Sequence, residues 1–268
     1  MKRVRLLIWV LLFLTSGLMS QVQAHGLGAK QEDFIQQEMT WRKRRDQQMR
    51  SPTSWLMIAG LFWLEEGENP FGSAASNTIH LPAGRAPAYA GTFLLDNGKV
   101  SVIARPGVSL KVNGENASTM RLKADDSGDP DIVALGSLEM WVIKRGGRYA
   151  IRLRDPDNPP YKKYTGLEYF PPSDEYRIVG RFIPHPQPRK MLVETVIGVE
   201  TEMVSPGYIA FTMEGREYRL VAFEAGKRRL FIVFRDKTSG VETYEASRFM
   251  YSSLREDGSV DLNFNRAF

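Results

Sequence analysis

The spacing of hydrophobic positions changes twice along the chain. Lys2, Arg3 and Arg5 precede an unbroken apolar run from Leu6 to Leu14, and small residues close the segment at Val22-Gln23-Ala24. That order predicts a secretory signal peptide over residues 1–24, removed in the mature protein. The apolar run is shorter than the about 20 residues a membrane span needs, so no span is expected after cleavage. Residues 25–52 form the next segment, and its stretch 30–50 contains neither Gly nor Pro. Phe34 and Trp41 lie seven apart there, and Ile35 and Met39 four apart, which predicts one amphipathic N-terminal helix. Glu32 and Asp33 sit early and the arginines late, as the helix dipole favours, and Ser51-Pro52 ends it. The run Arg42-Lys43-Arg44-Arg45 reads as a solvated helix face.

Beyond Pro52 helical spacing gives way to short apolar or alternating runs. Strands are expected at 55–64, 78–82, 92–96, 99–104, 108–112, 131–135 and 138–144, with turns at Asp96-Asn97-Gly98, Asn113-Gly114 and Gly146-Gly147. Residues 53–150 therefore read as a small β-sandwich. Five prolines between Asp155 and Ser173 mark a boundary loop. Longer strands follow at 175–183, 190–199, 207–213, 216–224, 229–235, 242–251 and 259–264, joined by tight turns such as Glu214-Gly215 and Asp257-Gly258. Residues 151–268 thus read as an antiparallel β-meander sheet or barrel. The fold class is mostly β.

Composition narrows the chemistry. The chain has no Cys, which removes thiol nucleophiles, Cys-based zinc sites and iron–sulfur sites. Three of its 36 basic residues and none of its 31 acidic ones lie within the first 24 positions, so the mature chain is close to neutral. A balanced surface does not predict nucleic-acid binding through phosphate neutralisation. His25, His80 and His185 have no zinc-ligand spacing, and His185, boxed by Pro184 and Pro186, reads as a surface-loop residue. No nucleophile elbow, phosphate loop or dinucleotide fingerprint occurs, so no cofactor is expected.

Three polar clusters remain. The carboxylates between Asp125 and Asp131 are dense enough for calcium, but the calcium-loop pattern of Gly and Glu is missing, and a polar hairpin loop fits better. Strand alternation puts Arg152 and Arg154 on one face, next to Asp155. There they can hold an anion or pair internally with Asp155, Asp236 or Glu168. Asp236, with Thr238 and Gly240, has turn chemistry. Asp236, Thr238, Thr243, Tyr244 and Arg248 can also line a polar pocket at one barrel end.

Several blocks carry a resemblance. They are Trp41-Arg42, Trp55-Leu56, Gly60 to Leu64, Gly67 to Ser73, Gly136-Ser137-Leu138, Arg145 to Tyr149 with Arg152 and Arg154-Asp155, Gly166 to Phe170, Phe234 to Tyr244 with Arg248, and Asp261 to Ala267. By these blocks the chain resembles DUF1684, a bacterial and archaeal family known as a domain of unknown function. The resemblance brings no activity or catalytic residue with it. It implies a Pro- and Cys-containing tail after the Asn-Arg-Ala block, whereas this sequence reads only to Phe268. A weaker resemblance covers Leu64 to Ser73, Val112-Asn113-Gly114 and Ile132 to Leu138, which share the rhythm of forkhead-associated sandwiches. The Gly-Arg and Ser-x-x-His that hold phosphothreonine in those domains do not occur here.

These readings lead to a periplasmic or secreted β-rich protein that binds a polar or anionic small ligand, or an envelope protein partner. The candidate ligand-binding residues are Arg152, Arg154, Asp155, Asp236, Thr238, Thr243, Tyr244 and Arg248. A hydrolase-like enzyme with a dispersed Asp/Tyr/Arg site is the alternative, with a structural envelope protein as the third reading.

Overall fold

The computed structural model describes residues 31–194 and 200–268. The expected signal peptide, residues 1–24, and His25 lie outside the described residues. The N-terminal helix, α1, spans 31–49, with Phe34, Glu38 and Met49 on its buried side. The chain divides into two compact units. Residues 46–167 with 193–194 and 200–201 form one, and residues 31–45, 168–192 and 202–268 the other.

The first unit is a sandwich of two sheets. One contains β1 (Ile58–Trp63), β6 (Lys111–Val112), β7 (Glu115–Asn116), β9 (Val133–Leu135), β10 (Leu138–Arg145) and β11 (Arg148–Arg154), in the order β1-β11-β10-β9-β6-β7. The other contains β2 (Gly67–Gly72), β3 (Ile79–His80), β4 (Gly91–Asp96), β5 (Lys99–Ala104) and β8 (Thr119–Leu122), in the order β3-β2-β4-β5-β8. Among the described strand pairs of this unit, all are antiparallel except β2 with β3. Phe71, Phe93 and Val102 of one sheet interleave with Met140, Val142, Ile151 and Leu153 of the other to make the core. Strand β2 is absent from the expected set; Gly67, Pro70 and Gly72 are all residues that strands disfavour. Its pairing with β4 and its buried Phe71 and Asn69 hold it extended. Asn69 both accepts from Glu65 N–H at 2.9 Å and donates to Glu65 C=O at 2.8 Å, fixing the entry bend. After β11 the chain runs through a short helix, α2 (Pro159–Lys162), and irregular backbone as far as Arg177.

The second unit is one sheet of six strands: β12 (Arg177–Glu194), β13 (Glu200–Met213), β14 (Arg216–Glu224), β15 (Arg229–Phe234), β16 (Arg248–Ser253) and β17 (Ser259–Asn263), in the order β16-β15-β14-β13-β12-β17. Its two edge strands are joined by an antiparallel bridge between Leu254 and Val260, so the sheet nearly closes into a barrel. Ile209, Ala222, Ile232, Met250, Val260 and Leu262 fill the inside.

Strand β12 corrects the reading of 184–186 as a loop. Phe182 N–H donates to Gly258 C=O on the β17 side. Pro184, Pro186 and Pro188 share its parity, so their missing N–H groups fall on that side beyond the end of β17. Proline is tolerated on such an edge because no ladder bond is lost there, and it discourages pairing with another chain. His185 consequently sits in a strand, its Nε2 3.4 Å from Ser205 Oγ. On β13 Gly207 is required beside Ile183, since a Cβ there would lie 2.2 Å from Ile183 O.

Leu262 is fully buried in the barrel. Leu262→Ala is expected to lower unfolding free energy by about 2–5 kcal/mol, the range for core leucine truncations. Urea unfolding, read as a lower midpoint at an unchanged slope, is the check.

Candidate functional site

The residues singled out from the sequence fall in different units. Arg152, Arg154 and Asp155 belong to the sandwich, and Asp236, Thr238, Thr243, Tyr244 and Arg248 to the barrel unit. In the sandwich, β11 turns Arg152 and Arg154 to the same face, away from core residues Ile151 and Leu153. Arg154 donates to Glu139 at 2.7 Å and lies 5.0 Å from the Trp141 ring centroid. Asp155 is buried, receives the Asp157 N–H at 2.9 Å and pairs with Arg85 at 3.2 Å. Neither β11 arginine therefore pairs with Asp155. Arg152 stands between Leu61 and Trp141 in the strand register, and its buried Nε has no hydrogen-bond partner. Burial, followed by repulsion from Arg145, lowers its pKa. The acidic segment is likewise absorbed into internal bonding. Asp125 pairs with Arg145 at 2.7 Å, and Asp131 receives Lys123 N–H at 2.7 Å.

In the barrel unit Asp236, Thr238, Thr243 and Arg248 do come together. The Asp236 carboxylate accepts the Thr238 N–H at 2.9 Å, the Thr238 hydroxyl and an Arg248 N–H at 2.8 Å. Thr238 and Thr243 hydroxyls lie 3.0 Å apart. The Thr238 carbonyl accepts from Val241, Glu242 and Thr243, which winds the chain through 243 and delays the strand expected from 242 to Arg248. Burial acts to raise the Asp236 pKa, but hydrogen bonds from Thr238 and Arg248 outweigh it and leave the carboxyl below its ordinary value. A carboxylate held this way is a weak proton acceptor and a good turn clamp. Tyr244, 51% exposed, takes no part in this network among the described residues.

A cleft the sequence did not single out lies elsewhere on the barrel unit, with a volume of about 320 Å³, within the size range of small-molecule sites. Alternation along β17 builds its wall. Val260 and Leu262 point into the core, and Asp261 and Asn263 point out. Strand β12 contributes Arg177, whose Nε and Nη2 grip Asp261 at 3.2 and 2.7 Å. The turn after β16 contributes Arg255, 3.5 Å from the same carboxylate. The 3₁₀ turn Phe264–Arg266 brings Arg266 to the rim. The Arg177–Asp261 hydrogen bond outweighs burial and raises the Arg177 pKa, so the guanidinium is always charged.

Arg266 is anchored from below. Glu38 of α1 is 1% exposed and accepts Arg266 Nη2 at 2.9 Å, Arg266 Nε at 3.1 Å and Asn263 Nδ2 at 2.8 Å. The cleft thus holds three guanidiniums, one partly exposed carboxylate shared between two of them, and one buried carboxylate already committed to the third. Arg177 lies 84 positions from Asp261, and neither it nor Arg255, in the turn just before β17, belongs to a motif. The alternation of Asp261 and Asn263 was the available signal. Among the described residues no group of three or more His, Asp or Glu side chains is arranged to hold a metal ion. Nor, among them, is any helix long and apolar enough to cross a membrane.

Comparison with known proteins finds a family match over the cleft's strands. Residues 162–268 match DUF1684. That family is described as a protein of unknown function, and the matched span includes every cleft strand as well as the 236–248 loop. The blocks from Trp41 to Asp155 lie outside it. No curated protein matches the chain. Among solved structures, an uncharacterised protein of Haloarcula marismortui is 29% identical over 42% of this chain, with a TM-score of 0.35. The chain spans 64% of that protein. The FhaA FHA domain, solved with the intracellular domain of Rv3910, is 17% identical, with 35% of this chain and 97% of that one covered and a TM-score of 0.25. The FHA-2 domain of a Mycobacterium tuberculosis ABC transporter is 23% identical, with 33% and 77% covered and a TM-score of 0.26.

Two outcomes are expected. Glu38→Gln removes the charge that Arg266 and Asn263 hold, and should cost about 1.5–3 kcal/mol, the range for hydrogen bonds to charged groups, in urea unfolding at pH 7. For Asp236 the folded pKa lies below the reference of 3.8, so its stabilising contribution is complete above that value and fades as pH falls through the folded pKa. Asp236→Asn should therefore destabilise at pH 7, with the deficit shrinking below pH 3.8. A deficit that stays constant from pH 7 to pH 3 would contradict this.

Proposed function

We propose that the barrel unit binds a small anionic ligand in the cleft framed by Arg177, Arg255 and Arg266. One observation carries this reading: three guanidiniums converge on a concavity that offers them one accessible carboxylate, Asp261. Each guanidinium presents a planar fork of donors, and only Arg177 uses its fork fully on Asp261. Arg255, at 3.5 Å and 48% exposed, contributes little there to stability and is free to turn onto a phosphate or carboxylate. Ser253, which also lines the cleft, can add a neutral donor. Glu38 holds Arg266 in place, so its share of the site is preorganised and little ordering cost falls on binding.

The N-terminal 24 residues support a second element of the proposal, that the protein meets this ligand outside the cytoplasm, in the periplasm or beyond. The candidate residues of the 236–248 loop serve the barrel as a turn clamp in this reading, and Arg152 and Arg154 serve the sandwich face.

The test is thermal unfolding of the chain in rising inorganic phosphate at constant ionic strength. A ligand at about 100 times its dissociation constant stabilises by about 2.7 kcal/mol, which raises Tm by roughly 5–10 °C for a protein of this size. Arg255→Ala should leave unfolding without phosphate unchanged within about 0.5 kcal/mol, as for other surface substitutions, and abolish most of the phosphate shift. No shift in the unaltered protein, or an equal shift in Arg255→Ala, would overturn the reading.

A further inference from the structure

The cleft has an aromatic neighbour. Tyr251 on β16 lines it and is 47% exposed. From Tyr251 a continuous row of rings runs over the outer face of β15 and β16. Phe231 lies directly opposite Tyr251 in the strand register, with ring centroids 5.0 Å apart. Phe249 stacks parallel on Phe231, their planes 4° apart. Phe268, 40% exposed, packs on both Tyr251 and Phe249, at 6.2 and 6.0 Å. Its backbone is fixed there by two hydrogen bonds with Phe249. The inward residues of the same strands, Leu230, Ile232 and Met250, already fill the core, so these rings are not needed to close it. Single exposed aromatics are ordinary, but a contiguous row that ends at a polar cleft marks a binding surface.

Arginines flank this row as well. Arg229 lies 4.2 Å from the Tyr251 ring centroid and Arg45 4.2 Å from that of Phe268. Both contacts are cation–π pairs. Arg229 is exposed and can shift its flat guanidinium onto a ligand ring without a change in backbone. An aromatic platform edged by guanidiniums is the arrangement that stacks flat π systems irrespective of their exact identity.

We infer that the ligand of the arginine cleft is an aryl anion: a phosphate or carboxylate attached to a flat aromatic ring. The anionic group sits among Arg177, Arg255 and Arg266, and the ring stacks on Tyr251 beside Phe268 and Arg229. This rests on the proposed anion-binding cleft and names the class of molecule that would fill it. Tyr251 is the specificity-determining residue, since it alone belongs to both the cleft and the row of rings.

The experiment is calorimetric titration of the full chain with phenyl phosphate and, separately, with inorganic phosphate, in one buffer at one ionic strength. Phenyl phosphate is expected to bind about tenfold more tightly, equivalent to about 1.4 kcal/mol. Tyr251→Ala should erase that preference, so that the variant binds phenyl phosphate no more tightly than inorganic phosphate, whereas Tyr251→Phe should keep it. Arg255→Ala should weaken both ligands. Equal affinity for the two ligands, or a preference that survives Tyr251→Ala, overturns the aryl assignment while leaving the cleft itself standing. Binding of neither ligand overturns both.

Discussion

The barrel unit depends on the disposal of one buried charge. A carboxylate with 1% exposure has almost no water to solvate it, so Glu38 can exist there only with donors from the protein. Arg266 and Asn263 supply them. The two donors come from the end of β17 and the 3₁₀ turn after it, so satisfying the charge also fixes where α1 lies on this unit. Asn263 is doubly committed, because its side-chain oxygen also accepts the Asn265 N–H that starts the turn. Removing one partner of such a set leaves the others buried and unpaired, which is why arrangements of this kind hold a single geometry.

Once α1 is held, its arginines find uses other than solvation. The run Arg42 to Arg45 reads in sequence as a charged outer face, and Lys43 and Arg44 are indeed exposed. Arg42 instead donates to the Phe170 carbonyl at 2.7 Å and lies over Tyr169, and Arg45 lies over Phe268. Long arginine stems cover apolar surface while the guanidinium keeps a polar or π partner. The same side-chain chemistry recurs at Arg229 on Tyr251 and Arg266 on Trp41. Much of the barrel's outer surface is therefore built from aromatic rings paired with guanidiniums, and the cleft is where three guanidiniums meet with too few carboxylates.

The strand architecture was largely legible from local pattern. The helix at 30–50, the strands at 92–96, 99–104, 138–144, 216–224 and 229–235, and the hairpin turn at Glu214-Gly215 all follow from periodicity and turn chemistry, because each depends on residues close in sequence. The misreadings have a common cause. Strand β2 carries Pro70 and two glycines at positive φ, Gly67 and Gly72, and β12 carries three prolines. Both are extended because a neighbouring strand holds them so, and no local signal reports that neighbour. The segment after Asp236 failed in the opposite sense, since one carbonyl, that of Thr238, captured three N–H groups that a strand would have paired elsewhere.

The sequence by itself determined the fold class, most of the strands and the absence of thiol chemistry, and it carried the family resemblance that the match over residues 162–268 bears out. It did not determine which charges remain unspent. Asp236 reads as a candidate pocket residue and is clamped by Thr238 and Arg248, whereas Arg177 and Arg255 drew no attention and converge on Asp261. Whether a charged side chain is satisfied depends on partners up to 228 positions away. Only the tertiary structure decides those distances, because strand pairing brings together residues whose separation along the chain carries no periodic trace.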